Sequence, residues 1–287
     1  MRLPRSVQVL VTGLLIGLGA THASAACLGG VTTLASVPAI VSVPKQVTKP
    51  PILLWHGFGP PASESALQQA LPLEDVPAIK VYLGLPLFGA RAPAAGERSV
   101  ADRQQEDYAS QLFEPVVMGA ANELPAVVKA LREKKCLGTR ESIGLFGFSA
   151  GGAAVLFALA EHKLPVRAAV TVNAPTSLSA AIDAMERATK RPYAWTPTTR
   201  TLAARADFVA RATDIAAGHP ALLIFHGAED TVIKPDGAIA LRDALLPFYD
   251  PARLRITVAP GVSHNWTEPR TLQDLRASVA DWFNRYL

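Results

Sequence analysis

Short apolar runs alternate with longer helical stretches along most of this chain, and this alternation constrains the fold more than any other feature. Glycine or proline bounds the runs, as expected for strands buried on both faces of a parallel sheet. The runs lie at residues 52–55, 79–83, 143–146, 166–172, 221–225 and 254–258. Helices are predicted between and after them at residues 122–134, 151–161, 236–245 and 271–286. This order predicts an α/β domain with a mostly parallel sheet and helices on both faces.

Three segments depart from the alternation. Residues 26–49 are rich in Val, Thr and Pro, which indicates short edge strands or an extended lead-in, and residues 84–96 indicate a long loop. Residues 173–219 exceed what one crossover helix needs, and ligands bind at the carboxyl ends of such strands, so we predict a small lid there. Within it, Tyr193 and Trp195 are candidate substrate contacts, or else they pack the insertion onto the sheet.

The composition excludes some classes of protein. Hydrophobic residues make up 49% of the chain and charged residues 18%, which is too apolar for a disordered chain. The formal net charge is +4, but the cationic residues are scattered and form no stripe interleaved with aromatic residues. We therefore expect no nucleic-acid partner.

The first residues have the pattern of a secretory signal peptide. Two arginines precede an apolar run at residues 7–20, and small residues follow it up to Ala25. The run is shorter than the ~20 residues that a membrane-spanning helix needs. We predict a signal peptide over residues 1–25, a mature domain over residues 26–287 that is secreted or periplasmic, and no stable membrane insertion. An uncleaved N-terminal anchor is the alternative.

The chain has two cysteines, Cys27 and Cys136, and both follow the predicted cleavage site. An even number of cysteines in an exported protein permits one disulfide. Two unpaired thiols are the alternative, and the sequence does not separate the two.

The strongest local signal is the run Gly147-Phe148-Ser149-Ala150-Gly151, which joins a predicted strand to a predicted helix. A sharp strand-to-helix turn lifts a serine hydroxyl out of the sheet, and flanking glycines relieve clashes at such a turn. Ser149 is therefore the candidate nucleophile. The free N–H groups of the helix N-terminus lie beside it, so the Ala150 N–H is a candidate oxyanion donor.

A second signal is the sequence His56-Gly57-Phe58 at the end of the strand predicted at residues 52–55. A glycine there lets the backbone turn so that an N–H group points into the site. The Phe58 N–H is accordingly the second candidate oxyanion donor. We interpret His56 as a structural histidine rather than a general base.

The candidate acid and base follow the last two predicted strands. Asp230 lies after the strand at residues 221–225 and is favoured over Glu229 and Asp236; its alternative role is to cap the next helix. His264 lies in the loop after the last strand, where an imidazole titrating near neutrality can exchange a proton with Ser149. The chain order Ser, Asp, His is that of α/β-hydrolases.

Together these motifs resemble the α/β-hydrolase superfamily over essentially the whole mature length, and in particular the esterases similar to dienelactone hydrolases and prolyl oligopeptidases. The matching segments are residues 54–58, 147–151, 226–230 and 261–264. The resemblance implies an eight-stranded, mostly parallel sheet and hydrolysis through an acyl-serine intermediate. Ser149 stands where dienelactone hydrolases carry cysteine, and the large propeller domain of prolyl oligopeptidases is not evident.

We therefore expect a serine hydrolase that cleaves carboxylic esters of small or medium-sized molecules, with Ser149, Asp230 and His264 as its triad. No cofactor and no metal are expected, since no cluster has metal-ligand spacing. Three alternatives stay open: a peptidase or amidase with the same triad, a small-molecule transferase, and a non-catalytic binding protein of the same fold. The oligomeric state is not predicted.

Overall fold

The computed structural model describes residues 27–138 and 142–287. The predicted signal peptide lies outside the described residues. Within them, eight strands form one sheet in the order β1-β2-β4-β3-β5-β6-β7-β8. The strands are β1 (Gly30–Leu34), β2 (Val37–Ser42), β3 (Lys49–Trp55), β4 (Ala78–Leu83), β5 (Ile143–Phe148), β6 (Val166–Val172), β7 (Ala221–Gly227) and β8 (Leu254–Ala259).

All pairings from β4 through β8 are parallel, while β2 pairs antiparallel with both β1 and β4. The prediction of a mostly parallel sheet of about eight strands is therefore confirmed. Because the strands are parallel, the carboxyl ends of β3, β5, β6, β7 and β8 meet at one edge of the sheet. The loops that carry the candidate site residues all leave from this edge.

The helices cover both faces of the sheet. They are α1 (Glu64–Ala70), α2 (Glu97–Asp107), α3 (Gly119–Glu133), α4 (Ala150–Ala160), α5 (Leu178–Thr189), α6 (Pro197–Arg205), α7 (Ala212–Ala217), α8 (Asp236–Leu245) and α9 (Pro269–Tyr286). A π-helical segment, Tyr108–Met118, joins α2 to α3. No helix in the described ranges is both long and apolar enough to cross a membrane.

Two hydrophobic cores lie on opposite faces of the sheet. Leu53 and Trp55 of β3 contribute to the core beneath α3 and α4, whereas Ile52 and Leu54 contribute to the core beneath α1 and α9. Successive side chains of a strand point to opposite faces, so a continuous apolar run supplies both cores.

Several helical segments were not predicted from the sequence, among them α1, α2 and the π-helical segment. Helix α2 has no buried residue, and so it lacks the apolar stripe by which an amphipathic helix is recognised. The π-helical segment contains Pro115, and a proline within a segment argues against predicting a helix there from the sequence. The insertion predicted at residues 173–219 contains α5, α6 and α7.

A disulfide joins Cys27 to Cys136, with a Cα–Cα distance of 4.7 Å. It connects the segment before β1 to the segment after α3. The two cysteines are 109 residues apart, so the bridge closes a long loop in the unfolded chain. A loop of this length makes the entropic contribution to stability large, up to about 5 kcal/mol.

Replacing both cysteines, as Cys27→Ser with Cys136→Ser, is expected to lower the Tm of the mature protein by roughly 5–15 °C, because the unfolded chain regains the entropy of the open loop. Thermal unfolding followed by circular dichroism measures this. Reducing the wild-type protein should lower its Tm to that of the double variant, whose own Tm should not respond to reductant. Equal Tm values for the oxidised wild type and the double variant would contradict the expectation.

Candidate active site

Ser149 occupies the sharp turn between β5 and α4. Its backbone has φ 51° and ψ −118°, a combination that residues with side chains rarely adopt. The turn is held by hydrogen bonds from the Ser149 N–H to the Val172 carbonyl and from the Ala153 N–H to the Ser149 carbonyl, at 2.9 and 3.0 Å. The packed turn thus maintains a strained conformation that projects the hydroxyl beyond the end of β5.

Two glycines make this turn possible by close packing. A Cβ on Gly147 would lie within 3 Å of the Gly151 backbone, and a Cβ on Gly151 would lie within 3 Å of the His56 carbonyl oxygen. Real Cβ atoms do not approach backbone atoms so closely, so any side chain at either position would force the turn apart. The absence of a side chain at Gly147 and Gly151 therefore allows the Ser149 turn to close tightly and to pack against the loop after β3.

His264 lies between Ser149 and Asp230. Its Nε2 is 3.1 Å from Ser149 Oγ, and its Nδ1 is 2.7 Å from Asp230 Oδ2. The ring also lies against Phe148, with ring centroids 5.3 Å apart. The structure therefore brings together three side chains that follow β5, β7 and β8.

The Asp230 carboxylate is buried, and both of its oxygens lie close to N–H groups. Oδ1 accepts hydrogen bonds from the amides of Val232 and Ile233 at 2.9 and 2.8 Å, and Oδ2 faces His264 and, at 3.4 Å, His226. Burial acts to raise the pKa of Asp230. The hydrogen bonds from His226 and His264, the charge of His264 and the Ile233 amide outweigh burial, so the pKa falls from 3.8 to about 2.

An ionised Asp230 can only accept a hydrogen bond, which assigns the proton to Nδ1 of a neutral His264. Nε2 is then unprotonated and can accept the proton of the Ser149 hydroxyl. Glu229, the adjacent carboxylate, is exposed and is not part of this arrangement.

Two supporting residues were missed by the sequence analysis. Asn173 is buried at the end of β6; its side-chain amide donates to the carbonyls of Ser263 and His264 at 3.0 Å each, and its oxygen accepts from the Gly227 amide at 2.8 Å. It therefore ties the loop that carries His264 to the end of β7. A polar residue directly after a buried apolar strand was the available signal.

His226 is the second supporting residue. It belongs to the motif that contains Asp230, but no role was predicted for it. Its Nε2 donates to the Ile233 carbonyl at 2.8 Å, so the buried ring holds together the loop that wraps Asp230.

His56 is buried and serves the loop after β3. Its Nδ1 donates to the Gly57 carbonyl at 2.8 Å, and its Nε2 accepts from the Leu85 amide at 3.2 Å. Burial lowers the pKa of His56 to about 4, against the opposing effect of the Gly57 hydrogen bond. Protonation of Nε2 would place its N–H against the Leu85 N–H, which is also a donor. Only the neutral His56 ring is therefore compatible with these hydrogen bonds.

A cavity of about 330 Å³ opens beside the Ser149 hydroxyl. Phe58 and Ala150, the two candidate oxyanion donors, both border it together with Ser149 and His264. The Ala150 amide is the first of α4, and such amides have no acceptor within their helix. The rest of the wall is mainly apolar, and α5 contributes Ala181, Ala184, Met185 and Ala188 to it.

The structure does not place Tyr193 and Trp195 against this cavity. They contact each other edge to face at 5.1 Å. Tyr193 lines a neighbouring hollow, which shares Gln104, Tyr108 and Met185 with the cavity, and Trp195 lines another hollow. The Tyr193 hydroxyl donates to Asp107 at the end of α2, at 2.5 Å. Of residues 173–219, Pro175 and α5 line the cavity instead.

No cluster of three or more His, Cys, Asp or Glu side chains suited to a metal ion occurs in the part of the chain that the structure describes. The polar groups at the cavity are instead arranged for transfer of a proton between Ser149 and His264.

Asp230→Asn is expected to lower hydrolytic turnover by about 10⁴-fold, because an asparagine no longer selects the Nδ1-protonated tautomer of His264. Glu229→Gln removes a neighbouring, exposed carboxylate and is expected to leave turnover within about twofold. Steady-state rates of the two variants on one chromogenic ester provide the measurement. A large loss in Glu229→Gln with little loss in Asp230→Asn would assign the role to Glu229.

Stability is expected to fall as the pH is lowered from 6.5 to 4. The folded-state pKa of His56, about 4, lies below its unfolded value of 6.5, so over this window the unfolded chain binds a proton that the folded chain excludes. The loss amounts to about 3 kcal/mol.

Urea unfolding at pH 7 and pH 4.5 measures this loss, and His56→Gln should show a smaller difference than His162→Gln, a control at an exposed position. Titration of the His56 ring by NMR gives a direct check. A ring that becomes protonated near pH 6.5 in the folded protein would disprove the assignment.

The fold is shared with several proteins of known structure. TT1662 from Thermus thermophilus matches with a TM-score of 0.66 and 19% identity, over 89% of this chain and 98% of that one. A puromycin-hydrolysing peptidase from Mycobacterium tuberculosis matches with a TM-score of 0.66 and 17% identity; the match covers 94% of this chain and only 41% of the peptidase. Dienelactone hydrolase from Anabaena variabilis matches with a TM-score of 0.58 and 17% identity, over 91% and 97%.

These identities are low, and the likeness is one of fold. A search of curated protein sequences returned no significant match. A family model, however, matches residues 119–287, the segment that contains Ser149, Asp230 and His264. Because this segment is more than half of the chain, the protein belongs to the prolyl oligopeptidase family, a serine hydrolase family of the α/β-hydrolase fold.

Proposed function

We propose that this protein is a serine carboxylesterase that hydrolyses neutral esters of small or medium size. The observation that carries the proposal is the continuous hydrogen-bonded chain from Asp230 through His264 to Ser149, with distances of 2.7 and 3.1 Å, beside an open cavity. A buried carboxylate, an imidazole and a lifted hydroxyl in this order are the groups that acyl transfer requires.

In the first half of the reaction, His264 Nε2 takes the proton of Ser149 as Oγ bonds to the ester carbonyl carbon. The N–H groups of Phe58 and Ala150 stabilise the oxyanion that forms, and the Asp230 carboxylate stabilises the imidazolium. Collapse of the tetrahedral intermediate breaks the bond to the alkoxy oxygen. This oxygen takes the proton from His264 and leaves as the alcohol.

In the second half, water replaces the alcohol. His264 removes a proton from the water as its oxygen attacks the acyl-serine, and a second oxyanion forms in the same place. Ser149 Oγ then leaves with the proton from His264, which releases the carboxylic acid and restores the starting state.

The cavity wall supports an ester rather than a peptide. Among the described residues that line the cavity, His264 and the Tyr108 phenol are the only ionisable groups, so none of these residues offers a charged partner for a peptide terminus beside Ser149. A peptidase or amidase using the same residues is the second candidate. The family match and the likeness to a puromycin-hydrolysing peptidase favour it.

Export of the protein is part of the proposal. The predicted signal peptide over residues 1–25 supports it, and so does the disulfide between Cys27 and Cys136, since disulfides persist in oxidising compartments. A mature N-terminus near residue 26, measured by mass spectrometry, is the corresponding observation.

Ser149→Ala is expected to abolish ester hydrolysis and labelling by a fluorophosphonate while leaving the Tm nearly unchanged, because only the nucleophilic oxygen is removed. Ser65→Ala, a control at an exposed position on α1, should retain both activities. Peptide mapping of the labelled wild type should place the adduct on Ser149. Near-wild-type turnover in Ser149→Ala would refute the assignment.

A panel of matched p-nitrophenyl esters and p-nitroanilides tests ester against amide preference. We expect kcat/KM to be at least about 100-fold higher for the esters. Equal or higher values for the anilides would favour the peptidase or amidase.

A further inference from the structure

A second cavity adjoins the Ser149 cavity beneath helix α2. Its volume is about 480 Å³, and its wall is mainly apolar, including Leu87, Phe88, Val100 and Leu112. Phe58 and Phe88 stack within it, with ring centroids 4.7 Å apart and planes 11° apart. A cavity of this size with an aromatic wall is suited to an aliphatic or aromatic group.

One face of helix α2 covers this second cavity. Its residues at the cavity are Glu97, Val100, Ala101 and Gln104, which recur at the three- and four-residue spacing of one helix face. None of them is buried, although two of the four are apolar. The inward face of α2 therefore covers an open space instead of a packed core.

The two cavities share the side chains of Phe58 and Gln104 as common walls. Phe58 is also one of the two residues proposed to bind the oxyanion, so a residue of the proposed oxyanion site borders both cavities. The Gln104 side chain forms no hydrogen bond to any part of the chain that the structure describes. No hydrogen bond within that part therefore holds the Gln104 side chain as a barrier between the two cavities.

The charge at the second cavity restricts which chemical groups the cavity can bind. Of the described residues on its wall, Glu97 alone is ionisable, and it is exposed at the start of α2. A carboxylate or phosphate would find no cationic partner there and would be repelled by Glu97. A neutral apolar group would lose contact with water and gain contact with the two stacked rings.

We propose that the cavity beneath α2 is a substrate subsite that binds an apolar group on one side of the scissile ester. This inference rests on the proposed esterase function and specifies its substrates as neutral esters with a sizeable apolar group. The walls of the subsite lie between residues 58 and 112, outside the segment matched by the family model.

To test the proposal, the subsite is blocked by a large side chain introduced on helix α2. Ala101→Trp places a large ring on the inward face of α2, whereas Asp102→Trp places the same ring at the next position, which does not line the cavity. The substrates are p-nitrophenyl esters from acetate to octanoate and alkyl acetates from methyl to octyl, so that each half of the ester is varied separately.

We expect Ala101→Trp to lower the ratio of kcat/KM for the longest to the shortest ester by at least about 10-fold in one of the two series, since loss of a hydrophobic subsite removes discrimination of this size. The Asp102→Trp ratios should match those of the wild type. The Tm and the circular dichroism spectrum should be unchanged in both variants, which excludes misfolding as the cause.

Wild-type ratios in both series of Ala101→Trp would overturn the subsite and leave the esterase function intact. Absence of ester hydrolysis and of Ser149 labelling in the wild-type protein would overturn both. If Ala101→Trp does not fold, Val100→Phe obstructs the subsite with a smaller change. The same kcat/KM ratios of the longest to the shortest ester then test the subsite.

Discussion

The contact between Gly151 and the His56 carbonyl is the constraint on which the rest of the site depends. Because Gly151 has no side chain, the turn that carries Ser149 packs directly on the loop after β3. The nucleophile and the Phe58 amide are thereby held next to each other. His56 fixes the loop in turn, through hydrogen bonds to Gly57 and the Leu85 amide, and its burial keeps the ring neutral. Packing thus offsets the backbone strain at Ser149.

The acid and base are held differently, by hydrogen bonds between loops. Asp230 is buried, and it remains ionised because two backbone amides and two histidine rings surround its oxygens. Its charge selects the tautomer of His264. Asn173 then joins the ends of β6 and β7 to the loop of His264 by hydrogen bonds. A buried carboxylate thus both orders the loop and prepares the base.

The chemistry and the substrate-binding walls come from different parts of the chain. Ser149, Asp230 and His264 lie within residues 119–287, which the family model matches, and α5 from the same segment lines one side of the cavity. Helix α2 and the loop after β3 lie outside that segment and form the other side. The proposed triad therefore lies in the segment that the family model matches, while much of the cavity wall comes from residues before that segment.

Local patterns in the sequence were sufficient for the parallel sheet and for the positions of Ser149, Asp230 and His264 at strand ends. An apolar run bounded by glycine or proline, or a serine between two glycines, reflects constraints that act over a few residues. The distances among the three side chains, the bridge between Cys27 and Cys136, and the role of Asn173 depend on partners far along the chain, and only the tertiary structure decided them. Helix α2 was missed for the same reason: its inward face covers a cavity rather than a core, and a helix that buries nothing leaves no apolar periodicity to detect.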